Sequence, residues 1–242
     1  MKQLKDLLSD ASHTVIFTGA GMSTESGLPD FRSESRGLWE KFNPDELANV
    51  NALLHNEAEF TEFYRYRLRE ITKYQPHEGH KILGEWEAKE IIQAIITQNV
   101  DGFHHDAGSQ HVMELHGTFH KFHCHDCQKE HPRKDYLNGQ TNCYDCDGTV
   151  RPGIVLFGEM LPQDVFQQAE VEAMRADLLI VLGSSLSVSP ANLFPLQAKE
   201  NGAKLVIVNR EPTPYDMYAD LTIHDQTIKE LLINVDEQLN KQ

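Results

Sequence analysis

The segment Thr14-Val15-Ile16-Phe17-Thr18-Gly19-Ala20-Gly21-Met22-Ser23 is the best guide to the fold of this chain. Its first five residues form a short apolar run between two threonines, which is typical of a strand buried on both faces. Gly19 and Gly21 follow at once, and glycines in such a turn permit the close approach of the backbone to a pyrophosphate. The full three-glycine dinucleotide pattern fails, because residue 24 is Thr and the next glycine is Gly27. A tight strand-to-helix turn is therefore the alternative interpretation.

Outward from this segment, short apolar runs alternate with helical patterns. This alternation predicts an α/β fold in which helices cover both faces of a parallel sheet. The further predicted strands are Ile91–Thr97, Val112–Leu115, Ile154–Phe157, Leu178–Leu182, Leu205–Val208 and Leu221–Ile223. The predicted helices are residues 2–10, Glu78–Ala88, Gln163–Arg175, Pro190–Asn201 and Thr227–Gln238.

Two stretches interrupt the alternation. Residues 30–75 carry a charged helical pattern without a good strand, and residues 118–150 contain all four cysteines. We predict that both are insertions, one helical and one a zinc ribbon, which together form a smaller domain. The Rossmann-like sheet domain is then made of residues 1–29, 76–117 and 151–242. The cleft between the two domains is the expected ligand site.

Composition and charge narrow the functional classes. The 242 residues include 22 Lys and Arg against 37 Asp and Glu, a formal charge of −15. Such a surface repels phosphate backbones, so we expect no nucleic acid as a main partner. It favours cationic partners such as lysine-rich protein segments, although plain solubility explains the charge equally well. The sequence has no apolar run of the roughly 20 residues that a membrane helix needs and no signal-peptide pattern, so a cytoplasmic protein is expected.

The cysteines form two Cys-x-x-Cys pairs, Cys124 with Cys127 and Cys143 with Cys146. Two such pairs separated by a short loop present four thiolates tetrahedrally to one Zn²⁺. Because four thiolates leave no open position for water, the metal is expected to be structural. Disulfides are the alternative interpretation, which the absence of an export signal disfavours.

Polar residues follow several of the predicted strands. Gln98, Asn99 and Asp101 come directly after one of them, and His116 closes the next. Gly183, Ser184, Ser185 and Asn209 follow two later strands. The carboxyl ends of parallel strands meet at one edge of the sheet, where such sheets bind their ligands. His116 is placed to serve as a general base near neutral pH. The alternatives are a helix cap for Asp101, a structural histidine, and ordinary loop turns.

Six short motifs follow one another in a fixed order, with the cysteine pairs between the fourth and the fifth. They are Gly19–Ser23, Gly27–Arg32, Thr97–Asp101, His116-Gly117, Phe157–Glu159 and Gly183–Leu186. In this order they resemble the motifs of the sirtuins, the NAD-dependent protein-lysine deacylases. The resemblance extends over nearly the whole chain. It implies a Rossmann-type large domain, a small zinc-plus-helical domain, and NAD⁺ in the cleft between them.

The resemblance also implies roles for individual residues. The cofactor would be lined by Gly19, Ala20, Gly21, Ser23, Pro29, Asp30, Phe31, Arg32, Gln98, Asn99, Asp101, Gly183, Ser184, Ser185 and Asn209. His116 would be the general base. In the implied reaction the acyl group of an acyl-lysine is transferred to ADP-ribose as nicotinamide is released. The acyl-lysine peptide would add as a strand between edges that include Val155, Phe157, Gly158 and Val188.

Phe63-Tyr64-x-Tyr66-Arg67 resembles the subset of sirtuins that remove succinyl and malonyl groups. In that subset a Tyr and an Arg three residues later bind the distal carboxylate, and an upstream alanine, here Ala48, leaves room for it. Residues i and i+3 share a face of a helix, so Tyr64 and Arg67 can point into one pocket. Arg binds carboxylates in a bidentate manner. The alternative interpretation is a solvated basic helix.

Three other functions compete with deacylation. Mono-ADP-ribosyl transfer uses the same cleavage of NAD⁺ with a different acceptor. A zinc-ribbon module that binds nucleic acid is disfavoured by the charge of −15. A catalytically silent NAD⁺ sensor is disfavoured by the presence of His116 and Asn99.

Overall fold

The computed structural model describes residues 2–28 and 44–241. Six strands form a parallel sheet with the order β3-β2-β1-β6-β7-β8, and two more form a separate antiparallel pair, β4-β5. The strands are β1 (Thr14–Thr18), β2 (Ala94–Thr97), β3 (Val112–Glu114), β4 (Gly117–Cys124), β5 (Val150–Ile154), β6 (Leu178–Leu182), β7 (Lys204–Val208) and β8 (Leu221–Ile223). The predicted fold class, a Rossmann-like parallel sheet with a smaller cysteine-containing unit, is confirmed.

Helices cover both faces of the parallel sheet. The helices are α1 (Lys2–Asp10), α2 (Pro44–Leu47), α3 (Val50–His55), α4 (Glu57–Ile71), α5 (Glu78–Ala88), α6 (Phe103–Asp106), α7 (Arg133–Leu137), α8 (Gln163–Arg175), α9 (Leu193–Glu200) and α10 (Ile228–Leu239). On one face α1, α5 and α10 pack against Ile16 and Ile180. On the other face α8 and α9 pack against Val15, Phe17 and Val181. Successive side chains of the central strands point alternately into the two apolar layers. These strands are therefore buried on both faces, as their continuous apolar sequence predicts.

Most predicted helices and strands end within a few residues of the observed ones. The largest shift in the parallel sheet is at β2, which begins at Ala94 and not at Ile91. The backbone N–H groups of Ile91 and Ile92 both donate to the Trp86 carbonyl, and Glu90 has a φ of 58°. These two apolar residues therefore close the end of α5. Apolar character alone does not distinguish a helix end from the start of a strand.

The predicted strand Ile154–Phe157 is wrong in its bounds and in its sheet. The observed strand is β5, Val150–Ile154, and it pairs antiparallel with β4. In the sequence an isolated apolar run looks the same whether its partner is parallel or antiparallel. Here the partner is β4, of which all residues but Gly117 lie within the predicted zinc ribbon, where no strand is predicted.

A third apolar cluster lies outside the parallel sheet. We call it the aromatic cluster, because it contains Phe60, Phe63, Tyr64, Phe119, Phe122 and Tyr136. Helix α4 contributes the first three of these rings, β4 contributes Phe119 and Phe122, and α7 contributes Tyr136. Val150 and Ile154 of β5 belong to the same cluster. Two stretches far apart in sequence thus share one core, and the predicted division into domains stays a prediction.

The order of the strands reverses next to β1. The chain builds outward from β1 through β2 and β3, and later returns to the other side of β1 with β6. Ligands of open α/β sheets bind at such a switch point, beyond the carboxyl ends of the strands. Here Gly19 N–H donates to the Leu182 carbonyl at 3.1 Å, and Gly21 N–H donates to the Gly183 carbonyl at 2.9 Å.

Three glycines let these two loops touch through their backbones. A Cβ atom on Gly19 would lie 2.8 Å from the Gly183 carbonyl oxygen, and a Cβ on Gly21 would lie 2.8 Å from Gly183 Cα. Gly183 itself has a φ of +65°, and its Cβ would lie 2.5 Å from the Gly21 carbonyl carbon. These glycines thus serve the contact between the β1 and β6 loops, whether or not a pyrophosphate also lies against them.

In the described residues, no helix combines the length and the apolar character that a membrane span requires.

We expect Gly183→Ala to lower the free energy of unfolding by about 2–4 kcal/mol, because the methyl group overlaps the Gly21 backbone and the φ is strained. The matched control is Gly202→Ala. Gly202 also has a positive φ, +101°, but no atom lies within 4 Å of its Cβ position, so we expect a loss of about 1 kcal/mol. Urea unfolding of the two variants measures both values. Equal losses would show that the contact between the loops is not tight.

Candidate active site

The polar residues after β2 are bound to the loops that follow β1 and β6. Gln98 N–H donates to the Thr18 carbonyl at 3.0 Å, and the Ser184 hydroxyl donates to Gln98 Oε1 at 2.8 Å. The Asn99 amide donates to the Gly19 carbonyl at 3.0 Å. The ends of β1, β2 and β6 are therefore joined into one polar edge of the sheet.

A buried hydroxyl links Asn99 with Asp101. Ser23 Oγ donates to Asp101 Oδ2 at 2.7 Å and lies 3.3 Å from the Asn99 amide nitrogen. Asp101 also accepts from Phe103 N–H at 2.9 Å, although the N-cap residue of α6 is Gly102 and not Asp101. Burial raises the pKa of this carboxyl, and the two hydrogen bonds partly oppose the rise. In the described residues no donor reaches Asn99 Oδ1, which leaves that oxygen available to a ligand.

A chain of hydrogen bonds through residues that were not predicted as site residues fixes the backbone of Asn99. The His104 ring lies with Nε2 3.0 Å from the Thr18 hydroxyl, Thr18 donates to Thr97 Oγ1 at 2.7 Å, and Thr97 Oγ1 accepts from Asn99 N–H at 3.0 Å. Burial lowers the pKa of His104 to about 3, so the ring is neutral. A sequence signal existed, since threonine ends both strands and Thr18 pairs with Thr97 in register.

His116 is held in one orientation at the same edge. Its Nδ1 lies 3.0 Å from the Gln98 carbonyl oxygen. A carbonyl can only accept, so Nδ1 carries the proton and Nε2 is the basic nitrogen. No other described residue is hydrogen-bonded to Nε2. Burial lowers the pKa of His116, although the bond to Gln98 opposes the shift. The ring is therefore neutral at pH 7, as a general base must be.

The other predicted cofactor residues differ in their burial and in their hydrogen bonds. Ala20 begins the 3-10 helix Ala20–Ser26 directly after Gly19. Ser184 is buried and also accepts from Leu186 N–H at 3.2 Å, whereas Ser185 is exposed. Asn209 follows β7, and its amide donates to the Glu211 carbonyl at 2.7 Å. Pro29, Asp30, Phe31 and Arg32 lie outside the described residues.

The predicted peptide edge is joined directly to His116. Val155 N–H donates to the His116 carbonyl at 2.9 Å. Phe157 N–H donates to the Ala48 carbonyl at 2.9 Å, and its carbonyl accepts from Val50 N–H at 3.2 Å. Phe157 is 57% exposed, Gly158 beside it is exposed, and Val188 is half-buried on the loop after β6.

Tyr64 and Arg67 are both buried within the aromatic cluster, one turn apart on α4. The Arg67 guanidinium lies over three rings, 5.6 Å from the centroids of Phe63 and Tyr64 and 5.2 Å from that of Phe119. Burial raises the pKa of Tyr64 to about 12, so its phenol stays a neutral donor. The interpretation as a solvated basic helix is wrong for Arg67, whose exposure is 6%, but it describes Arg69, with a side chain 46% exposed.

The four cysteines come together as predicted. Cys124 Sγ and Cys146 Sγ lie 3.4 Å apart, Cys127 Sγ and Cys143 Sγ lie 3.6 Å apart, and all four sulfurs fall within 4.8 Å of one another. Zn–S bonds of about 2.3 Å in a tetrahedron place sulfurs about 3.8 Å apart, so one Zn²⁺ fits between them. The alternative of disulfides is excluded, because an S–S bond is only about 2.05 Å long.

The two cysteine turns share two backbone features, a residue with positive φ and a hydrogen bond back to the first cysteine. Gln128 and Asp147, which follow the second cysteine of each pair, have φ values of 61° and 60°. Their N–H groups donate to the carbonyls of Cys124 and Cys143 at 3.1 and 3.0 Å. Because the closed set of four thiolates leaves no position for a substrate, the metal is structural and does not take part in chemistry.

A family model agrees with this geometry. The model described as the Sir2 family matches residues 19–190. The chain belongs to the Sir2 family. The match begins at the glycine turn after β1 and ends within the loop between β6 and α9, so it includes the polar edge, the cysteine cluster and the 154–159 segment of this Sir2-family chain.

Close relatives extend over almost the whole Sir2-family chain. A protein of Oceanobacillus iheyensis named "NAD-dependent protein deacetylase" is 56% identical over 97% of this chain and 99% of its own length. A protein of Geobacillus kaustophilus named "NAD-dependent protein deacetylase 1" is 55% identical over 96% of both chains.

Solved structures of Sir2 share the fold. Sir2 with a p53 peptide and NAD⁺ has a TM-score of 0.89 and 38% identity, over 100% of this chain and 99% of that chain. Sir2 bound to an acetylated peptide has a TM-score of 0.91 and 37% identity, with the same shares covered.

We expect the purified chain to contain one Zn²⁺ and to lose the packing of the aromatic cluster when a chelator removes it. Cys124 and Cys143 belong to that cluster, so metal binding and local folding are coupled. Metal analysis gives the stoichiometry, and near-ultraviolet circular dichroism reports the packing of the rings. Zinc added back provides the control. An unchanged near-ultraviolet spectrum after complete removal would contradict a structural role.

Proposed function

We propose that this protein is an NAD-dependent protein-lysine deacetylase. The observation that carries the proposal is His116, whose Nδ1 is fixed by the Gln98 carbonyl beside the polar edge and whose backbone binds the peptide edge through Val155. The close relatives named as deacetylases support it, as do the solved Sir2 complexes with NAD⁺ and acetylated peptide.

The donor set at the polar edge suits NAD⁺. Asn99 Oδ1 is available to the carboxamide of nicotinamide, and the Asp101 carboxylate lies beside it through Ser23. Gln98 is proposed to contact the adjacent ribose. The loops with Gly19, Ala20 and Gly21 and with Gly183, Ser184 and Ser185 would contact the phosphates and the adenosine half, together with Asn209. Pro29, Asp30, Phe31 and Arg32 are proposed to line the same site.

When bound, NAD⁺ would supply an electrophilic ribose carbon for attack by the acyl oxygen, with nicotinamide as the leaving group, and a ribose hydroxyl to which the acyl group is transferred. The protein itself orients the peptide and NAD⁺, excludes water and moves one proton. His116 Nε2 accepts a proton from a ribose hydroxyl, because Nδ1 already carries one and the ring is neutral. Val155, Phe157, Gly158 and Val188 hold the acyl-lysine peptide as an added strand. The buried polar edge excludes water that would otherwise hydrolyse the activated ribose.

We further propose that the acyl pocket accepts succinyl and malonyl groups. Ala48, whose carbonyl binds Phe157 N–H, connects the peptide edge with the aromatic cluster. Tyr64 and Arg67 share one face of α4, and the Arg67 guanidinium carbon lies 5.6 Å from the centroid of the Tyr64 ring. A distal carboxylate in this pocket would receive a bidentate contact from the guanidinium and one bond from the neutral phenol. Low local polarity strengthens such contacts.

We expect His116→Ala to lower kcat for an acetyl-lysine peptide at least about 100-fold while NAD⁺ still binds. The matched control is His111→Ala, because His111 Nδ1 also lies 3.0 Å from a backbone carbonyl, that of Gln93, but at the opposite edge of the sheet. Peptide turnover by mass spectrometry and NAD⁺ binding by calorimetry provide the measurements. Release of acyl-ADP-ribose distinguishes deacylation from ADP-ribosyl transfer. Because burial lowers the pKa of His116 below 6.5, wild-type kcat/KM should fall only as pH drops below 6.5. Normal turnover in His116→Ala would end the assignment.

We expect Arg67→Met to lower kcat/KM for a succinyl-lysine peptide at least tens-fold. Removing one partner of a desolvated charge pair costs about 2–5 kcal/mol. The acetyl-lysine peptide has no such charge, so its kcat/KM should change little. Arg69→Met, on the exposed side of the same helix, should leave both values unchanged. Equal losses on the two peptides would show that Arg67 serves the fold. An absence of succinyl activity in the wild type would restrict the protein to deacetylation.

A further inference from the structure

An ion pair lies inside the segment that forms the predicted peptide edge. Arg151, in β5, contacts the carboxylate of Glu159 through both terminal nitrogens, with Nη1 2.5 Å from Oε1 and Nη2 2.9 Å from Oε2. The Arg151 side chain is 4% exposed and that of Glu159 is 28% exposed. The pair therefore closes a loop of only seven intervening residues in a largely buried setting.

The same two side chains also bind the backbone of the 154–159 segment. Arg151 Nη2 donates to the Ile154 carbonyl at 2.6 Å, and Leu156 N–H donates to Glu159 Oε2 at 2.7 Å. Glu159 N–H donates in turn to the Leu156 carbonyl at 3.0 Å. The ion pair thus fixes a carbonyl and an N–H on either side of Val155.

The rest of this backbone is anchored on two other parts of the molecule. Val155 N–H is bound to the His116 carbonyl, and Phe157 is bound at both of its backbone groups to Ala48 and Val50. Between these two attachment points, the ion pair binds the backbone at Ile154 and at Leu156. It sets how the backbone turns from β5 and His116 toward the exposed Phe157 and Gly158.

The Glu159 carboxyl of the pair is ionised at neutral pH. Burial raises the pKa of Glu159, but the bonds from Arg151 and from Leu156 N–H lower it more, so the net shift is downward. Buried ion pairs contribute little net stability compared with well-packed apolar residues, because both charges are desolvated. What this pair provides over apolar packing is direction, since four hydrogen bonds act on a planar guanidinium and a planar carboxylate.

We propose that Arg151 and Glu159 are positioning residues for the acyl-lysine peptide, holding the 154–159 segment in the orientation that receives the peptide as an added strand. This inference rests on the proposed deacetylase function. It adds two residues, Arg151 and Glu159, that are not among the predicted site residues. Neither side chain needs to touch the substrate, since both act through the backbone of the segment.

The test uses Glu159→Gln, which keeps the shape of the side chain, together with Arg151→Met and the double variant. We expect KM for an acetyl-lysine peptide to rise at least about tenfold in Glu159→Gln, with KM for NAD⁺ and the zinc content unchanged. Hydrogen exchange followed by mass spectrometry should be at least about tenfold faster for residues 154–159. The double variant should be no worse than the worse single variant, because the two residues act as one unit.

Glu172→Gln is the matched control. Glu172 is a buried carboxylate that is paired with Arg175 and with His13, the residue before β1, so it lies at the opposite edge of the sheet. It should lose stability without a change in peptide KM or in exchange at 154–159. If Arg151→Met does not fold, Glu159→Gln and Glu159→Asp carry the test.

Two results would overturn this inference but leave the proposed deacetylase function standing. One is a wild type that deacetylates together with a Glu159→Gln variant of unchanged peptide KM. The other is unchanged exchange at 154–159 in that variant. A purely structural role would lower the melting temperature and leave peptide KM where it was, as in the control. A wild type that neither binds nor deacetylates an acyl-lysine peptide would instead remove the proposed function, and the inference with it.

Discussion

The backbones of two loops touch where β1 and β6 end, and the polar edge of the sheet depends on that contact. Gly19 and Gly21 lie against Gly183 at distances that admit no side chain. The contact closes the switch point of the sheet and brings the Ser184 hydroxyl within 2.8 Å of Gln98. Gln98 then orients His116 through its carbonyl. The absence of three side chains thus determines the position of a histidine almost a hundred residues along the chain from Gly19.

The polar edge and the aromatic cluster stabilise their polar groups in different ways. At the edge, burial keeps His104 and His116 neutral, and Asn99 is held by hydroxyls and carbonyls. Such groups can be preorganised without a counter-charge. The aromatic cluster and its border instead contain two buried guanidiniums, Arg67 among rings and Arg151 on Glu159. The proton transfer is proposed at the polar edge, and recognition of an acidic acyl group and of the peptide backbone on the side that contains the guanidiniums.

The 154–159 segment connects these two regions. Its backbone is bound to His116 on one side and to Ala48 on the other, with Glu159 between them. In the proposed function, a peptide that adds to this segment would be aligned both with His116 and with the proposed acyl pocket at Tyr64 and Arg67.

The sequence by itself determined the parallel sheet, the polar strand ends and the metal ligands, because these depend on local patterns. A buried strand needs an apolar run, and a tetrahedral thiolate site needs two close cysteine pairs. The tertiary structure decided what depends on distant partners. It paired Val150–Ile154 with β4 and not with the parallel sheet. It buried Arg67 while Arg69 stayed exposed, and it placed Thr18 and His104 behind Asn99. The periodicity of apolar residues indicates which face of a helix or strand is apolar, but it does not indicate which other segment will cover that face.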